Sequence, residues 1–83
     1  SKLDAAKLEA EEIGGAVRRA RQGLGLRQEE LALAAGVSTR VVHQIEQGKP
    51  TSRLDSLVPV LEVLGLSLRV AERARLRPGA GGP

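Results

Sequence analysis

Residues 28–49 constrain the fold of this chain more than any other segment, because two short amphipathic stretches meet there at one tight turn. Gly36 follows the apolar positions of the first stretch. Since glycine adopts a positive φ at no steric cost, we expect a helix to end at this residue. Ser38 can accept a hydrogen bond from a free backbone N–H, which predicts the N-cap of a second helix. Gly48 and Pro50 predict its end.

The predicted second helix has one apolar face and one polar face. Val41, Val42 and Ile45 recur at helical spacing and predict the buried face. The polar face carries side chains that can donate to or accept from base edges in DNA, namely Thr39, Arg40, His43 and Gln44. Two such helices joined by so short a turn are typical of a helix-turn-helix. The alternative is an ordinary helical hairpin whose polar residues are solvated. Taken alone, His43 is equally compatible with a base contact and with this hairpin.

Phosphate contacts are predicted at the edges of this segment. Gln28 opens the first helix, where the helix N-terminus favours an anion. Lys49 follows the second helix and can hold another phosphate. The arginines between residues 13 and 27, and those between residues 69 and 77, form two basic clusters in a chain of net charge +3. A nucleic-acid partner is consistent with these clusters, although a run of charge is also typical of a solvated face.

Composition excludes several other classes of protein. A chain of 83 residues predicts one small domain that gains from a partner chain. The absence of cysteine and the single histidine predict no metal site, and we expect no cofactor. The sequence has no nucleophile with a nearby base and no phosphate loop, so an enzyme is not expected. No long apolar run or signal-like segment occurs, which predicts a cytoplasmic, nucleoid-associated protein without a membrane contact.

The flanking segments predict two further helical regions. Leu3 to Arg21 should form one helix or two abutting helices, with a break or weak point near Gly14, because Gly14 and Gly15 together cost about 2 kcal/mol relative to alanine. A helix from about Arg53 to Leu64 should follow. Ser52 and Asp55 have the spacing of its capping box, and Gly65 should end it. Pro59 lacks an N–H, which predicts a kink.

After Gly65 the apolar period changes from helical to two. The alternating residues are Leu66, Ser67, Leu68, Arg69 and Val70, and they predict a short strand. A lone strand in a helical chain needs a hydrogen-bonding partner, and the same strand of a second copy would supply one across a two-fold axis. Such a homodimer would present two helices to a palindromic DNA operator. The alternative is a frayed, extended end.

Residues 13–70 resemble the Xre-type helix-turn-helix family of phage repressors. Within that family, GKPTSRLDSL at residues 48–57 and VLEVLGLSLRV at residues 60–70 resemble the HipB-type antitoxins. The resemblance implies an all-α, lambda-repressor-like bundle of four to five helices with one short C-terminal β-strand that pairs across a dimer. Together with the patterns of the flanking segments, this divides the chain into an N-terminal helical extension at 1–12, a DNA-binding domain at 13–65, a dimerisation strand at 66–71 and, from its Arg-, Gly- and Pro-rich composition, a flexible basic tail at 72–83.

The resemblance also implies roles for single residues. The phosphate-binding glutamine of the family falls on Gln28, and its base-reading positions fall on Thr39, Arg40 and Gln44. A buried ion pair of the family falls on Arg21 and Glu46. Ser38 is expected at a phosphate as well as at the helix cap. Arg27 stands where the family usually has a capping Ser or Thr, and since arginine cannot cap, we expect it at a phosphate.

These patterns together predict a sequence-specific DNA-binding transcriptional repressor. The resemblance to HipB further implies the autoregulating antitoxin of a HipBA-like toxin–antitoxin operon, with a HipA-like serine/threonine kinase toxin as partner. Two alternatives remain open at this point. One is a solitary Xre-type regulator without a toxin, and the other is a protein-interaction module that uses the same scaffold.

Overall fold

The computed structural model describes residues 2–73, which form four helices joined by short turns. These are α1 (Lys2–Gly23), α2 (Gln28–Ala35), α3 (Thr39–Glu46) and α4 (Leu54–Val63). α3 packs against the other three helices, and α2 also packs against α4. The described residues contain no strand, so the predicted all-α class is confirmed for this part of the chain.

The core lies where the helices converge and is built from aliphatic side chains, as a chain without aromatic residues requires. Each helix contributes one fully buried side chain: Val17, Leu31, Val42 and Val60. The remaining members are Ala32, Ile45, Leu57, Leu61 and Leu64. Burying a branched aliphatic side chain contributes about 1.5–3 kcal/mol, so these residues provide the main stabilisation of a small fold.

The turn between α2 and α3 has the predicted geometry. Gly36 has φ of 73° and its N–H donates to the Leu33 carbonyl, which ends α2. Ser38 has extended backbone angles, and its Oγ accepts a hydrogen bond of 3.1 Å from the Val41 N–H. The turn and the serine cap expected from the sequence are therefore confirmed.

Of the two arrangements expected for the N-terminal region, the single helix is the one observed, since α1 runs without interruption from Lys2 to Gly23, and the break near Gly14 is therefore wrong. Gly14 is buried where α1 crosses the end of α3. A Cβ atom on this residue would overlap the Ile45 carbonyl oxygen and lie 3.0 Å from the Glu46 carbonyl oxygen. The glycine is thus required by the close approach of two backbones, and this contact outweighs its low helix propensity.

The expected capping box of α4 is also wrong. The helix begins at Leu54, so Arg53 is the N-cap residue and Ser52 lies one residue too early to cap it. The Ser52 hydroxyl instead donates to the Lys49 carbonyl oxygen at 3.1 Å, while Asp55 pairs with Arg53. Pro59 is accommodated within a helix that continues to Val63, and the kink at this residue stays a prediction.

Residues 66–73 have no regular secondary structure in the single chain, so the strand expected at 66–71 is not formed within it. A strand needs hydrogen-bonding partners, and no neighbouring strand exists among the described residues. The Leu66 N–H bonds to the Leu61 carbonyl oxygen at 2.8 Å. Farther along, Arg73 forms an ion pair of 3.2 Å with Glu9 of α1. Most of the basic tail expected at 72–83 lies outside the described residues.

Candidate nucleic-acid interface

α3 divides into a buried face and an exposed face. Val42 and Ile45 are buried in the core. Thr39, Arg40 and His43 are exposed, and Gln44 is partly buried. The amphipathic pattern that separates these residues in the sequence therefore separates them in space, and the four predicted base-contacting residues lie on one short helix next to the turn.

Each end of α3 adjoins a shallow depression with basic and hydroxyl side chains. Arg27, Ser38 and Thr39 line the depression beside the N-terminal end, together with the acidic residues Glu29 and Glu30. Gln44 and Lys49 line the depression beside the C-terminal end. Each depression thus brings a residue predicted to contact a base together with at least one residue predicted to contact a phosphate.

Arg53 is a basic residue of this surface that the sequence patterns missed. It lines the same depression as Gln44 and Lys49. Its guanidinium is paired with the Asp55 carboxylate through hydrogen bonds of 2.8 and 3.0 Å, and both side chains are exposed. Arg53 lies outside α3 in the sequence, and no sequence pattern places it beside that helix. The loop at residues 47–53 brings it there.

Ser38 caps α3 and still retains a donor for a ligand. Its oxygen accepts from the Val41 N–H, and a hydroxyl that accepts one bond keeps its own hydrogen free to donate. The side chain is exposed. A cap role and a phosphate contact are therefore compatible at this residue.

Arg27 precedes α2 in an extended conformation and cannot cap it with its own side chain. Glu30 compensates from within the helix, because its Oε1 atom accepts the Arg27 backbone N–H at 2.8 Å. This hydrogen bond holds the pKa of Glu30 below its usual range. The Arg27 guanidinium lies 3.5 Å from the carboxylates of Glu29 and Glu30. A phosphate contact by Arg27 would replace these exposed ion pairs.

Arg21 and Glu46 form a bidentate ion pair between α1 and α3. Nε of Arg21 lies 2.6 Å from Oε2 of Glu46, and Nη2 lies 3.0 Å from Oε1. Only 2% of the Glu46 side chain and 12% of the Arg21 side chain are exposed. Nη1 of Arg21 also donates to the Leu26 carbonyl oxygen at 2.8 Å, which ties the loop before α2 to the same pair.

Gln28 joins this ion pair, a contact that the sequence did not predict. Its Nε2 atom donates to Oε1 of Glu46 at 3.0 Å. Nothing in the sequence links Gln28 to Glu46, because the two residues lie on different helices and glutamine is common on helix surfaces. The residue expected at a phosphate is therefore anchored to the buried carboxylate.

The surroundings of Glu46 favour its ionised form. Burial alone raises the pKa of the carboxyl group, but hydrogen bonds from Arg21 and Gln28 outweigh it and hold the pKa below its usual range. The charge of Arg18 acts in the same direction. Arg18 is exposed on α1, one turn before Arg21, and it belongs to the basic cluster between residues 13 and 27 that the sequence analysis describes.

The geometry of α2, the glycine turn and α3 defines a helix-turn-helix domain, the class in which the second helix lies in the major groove of DNA. Comparison with known proteins agrees, since residues 17–70 match the helix-turn-helix family. The chain belongs to this Xre-like helix-turn-helix family. An uncharacterized HTH-type transcriptional regulator, y4mF, of Sinorhizobium fredii is 42% identical over 59 residues, which cover 71% of this chain and 78% of the relative.

Homology to an HTH-type transcriptional regulator supports a DNA-binding regulator as the general function. The matched family is one of DNA-binding transcription regulator domains. Within residues 2–73, His, Asp and Glu side chains form no group suited to a metal ion. No helix in that stretch is both long and apolar enough to cross a membrane.

Proposed function

We propose that the protein is a sequence-specific repressor that binds a palindromic operator as a homodimer. The observation that carries this proposal is the exposed face of α3, where Thr39, Arg40 and His43 project from a helix held by its opposite face. Arg40 is assigned to a guanine, because a guanidinium can donate twice to O6 and N7. The basic and hydroxyl residues at both ends of α3 would hold the flanking phosphates.

The test is selection of duplexes from a random-sequence pool, followed by affinity measurements on the selected duplex and a scrambled one. Arg40→Ala should cost about 1–3 kcal/mol on the selected duplex, which is about 5- to 150-fold in Kd. Arg40→Lys is the matched control, because it keeps the charge but loses the fork. It should retain affinity for the scrambled duplex and lose discrimination. Equal weakening of both duplexes in Arg40→Ala would contradict base recognition.

The proposed dimer uses the segment from Leu66 to Val70. Leu66 is half-buried against the core, Leu68 is 43% exposed, and Val70 is fully exposed. In an antiparallel pair centred on Leu68, Val70 of each subunit would lie opposite Leu66 of the other. Val70, which is fully exposed in the single chain, would then pack against the partner subunit.

Sedimentation measurements test this interface. Val70→Asp should dissociate the dimer while the helical circular dichroism is preserved, whereas Arg69→Ala, on the opposite face of the segment, should leave it dimeric. Leu54 and Val58 offer a second apolar patch on the outside of α4. A dimer that survives Val70→Asp but dissociates in Leu54→Asp would place the interface on α4 instead.

The antitoxin role is proposed on the resemblance of residues 48–70 to HipB-type proteins. It requires a neighbouring gene for a HipA-like kinase and a complex in which that kinase is inactive. Sequencing of the operon and co-purification of the two products test it. A solitary gene whose product still binds its own upstream region would support the plain regulator. Binding to a protein without any salt-dependent DNA binding would support an interaction module.

A further inference from the structure

The first turns of α1 contribute no buried side chain to the core of the single chain. α1 is packed closely against the end of α3 at Gly14 and against the following loop at Glu11, whose Cγ would lie 2.8 Å from a Cβ atom on Gly48. Residues 2–10 precede these contacts and make up about two and a half helical turns. The family match begins only at residue 17, so it assigns no role to these turns.

One side of these turns borders an apolar groove of about 240 Å³. Aliphatic side chains of α1, of α4 and of the C-terminal segment line it, namely Ala6, Ala10, Ile13, Leu54, Leu57 and Leu68. Its charged residues are Lys49 and Glu9, and Glu9 is paired with Arg73. Pockets for small molecules have volumes of about 300–1,000 Å³, so the groove suits one or two aliphatic side chains better than a small-molecule ligand.

Leu68 belongs both to this groove and to the segment proposed to pair across the dimer. In the single chain that segment is held at Leu66, whose N–H bonds to the Leu61 carbonyl oxygen, and at Arg73 by its ion pair with α1. The backbone groups of residues 67–73 form no hydrogen bond with another backbone group of the described chain. An extended segment with free N–H and C=O groups is a template for pairing with another strand.

Antiparallel pairing centred on Leu68 brings the same residue of a second copy to the groove. Residues directly opposite each other in an antiparallel pair lie on one face, with Cβ atoms about 4.5–5.5 Å apart. Since Leu68 of the first copy lines the groove, Leu68 of the second copy would lie beside it, within reach of the same groove. Two paired strands are marginally stable in water unless they pack on a further element, and α1 supplies a helix for this packing.

We propose that the first turns of α1 form part of the interface between two copies of the chain, and that the groove between α1 and α4 accommodates the Leu68 side chain of the second copy. The inference rests on the homodimer of the proposed function and gives residues outside the family match a role in it. Leu3 continues the α1 side of the groove by one turn and is 64% exposed, so it enlarges the surface offered to the second copy. Because α1 is one continuous helix packed on α3, this contact also sets the distance between the two α3 helices, and with it the spacing of the half-sites.

A pair of matched substitutions on α1 tests the surface by sedimentation. Ala6 is exposed at the groove in the single chain, so Ala6→Glu should preserve the fold. It should raise the dissociation constant of the dimer at least about tenfold, because its carboxylate would be buried without a partner. Leu8→Glu adds the same charge on the opposite side of the helix, where Leu8 is 67% exposed, and should leave the dimer unchanged. Dissociation in Leu8→Glu but not in Ala6→Glu would place the interface on the other side of α1 and overturn the proposal.

Mixing two complementary variants tests whether the contact joins two copies. Ala10→Leu enlarges the α1 side of the groove and should weaken the homodimer about tenfold, because Leu68 of the second copy no longer fits. Leu68→Ala shortens that side chain. In a hybrid dimer of the two variants, the filled groove faces the shortened side chain and the unmodified groove faces an intact Leu68. The hybrid should therefore be favoured over both homodimers when differently labelled copies are mixed.

Statistical mixing of the labelled copies, with no preference for the hybrid, would overturn the proposal. It would show that the groove is filled from within its own chain, by Leu68 or by residues 74–83. Circular dichroism of each variant checks that the helices are retained, and Ala6→Glu provides an independent readout should Ala10→Leu fail to fold.

These outcomes separate the inference from the proposed function. If the wild-type chain sediments as a monomer at every protein concentration, the proposed homodimer and the groove contact are both wrong. If Val70→Asp dissociates the dimer while Ala6→Glu and Ala10→Leu do not, the homodimer stands and only the contact with α1 is lost.

Discussion

Replacing Arg21 by methionine removes the charge that balances Glu46 while keeping a side chain of similar length. The carboxylate would remain 2% exposed with Gln28 as its remaining side-chain donor. Breaking a buried ion pair on one side costs about 3–5 kcal/mol. We expect about 3 kcal/mol, because Gln28 stays in place and Arg21 is itself 12% exposed. In a domain of this size that loss corresponds to a decrease in Tm of roughly 12–24 °C.

The dependence of stability on pH should change sign in the variant. In the wild type, the folded-state pKa of Glu46 lies below its unfolded value, so this group's stabilisation is present above the unfolded pKa and is lost as pH falls through the folded pKa. In Arg21→Met, burial is opposed only by the hydrogen bond from Gln28 and the charge of the exposed Arg18, and we expect the folded-state pKa to rise above the unfolded value. Acidification should then relieve part of the destabilisation as the carboxyl group becomes protonated.

Urea unfolding followed by circular dichroism, from neutral pH to about pH 4, measures both effects. Arg53→Met is the control, because it removes an exposed pair with Asp55 and should change stability little. A loss below about 1 kcal/mol in Arg21→Met would show that the pair with Glu46 behaves like a surface contact. If stability depends on pH equally in the wild type and in Arg21→Met, the titration of Glu46 is not the source of the pH dependence.

Two further predictions follow from single contacts and a third from the basic cluster between residues 13 and 27. Gly14→Ala should cost at least about 2 kcal/mol in urea unfolding, since the new Cβ meets the backbone of α3, whereas Gly23→Ala, with nothing within 4 Å, should be neutral or slightly stabilising. Ser38→Ala should cost about 1 kcal/mol through loss of the cap to Val41, and an unchanged midpoint would show that solvent replaces it. Arg18→Ala should reduce the slope of log affinity against log salt by about one without altering sequence preference, and an unchanged slope would exclude a phosphate contact by this residue.

Local signals predicted the centre of the fold well. Gly36 and Ser38 act through their own backbone and side-chain geometry, so their roles could be deduced without tertiary information. Gly14 could not be interpreted in this way. Its low helix propensity predicted a break, but the deciding contact is with the end of α3, which is remote in sequence.

Other differences between the expected and the observed structure also arise because contacts elsewhere in the fold decide them. Ser52 and Asp55 have the spacing of a capping box, yet the helix starts at a residue that puts the serine out of reach. The strand expected after Gly65 depends on a partner that one chain does not supply. Gln28 was expected at a phosphate from the family pattern, and its link to Glu46 becomes visible only when α2 and α3 are placed together.

The two faces of α3 share no residue, and this separation has a consequence for engineering. Val42 and Ile45 pack in the core and hold the helix in place, whereas Thr39, Arg40 and His43 are exposed and do not pack there. A library that varies these three exposed positions should therefore yield variants that keep their folding stability and differ in the operator they prefer.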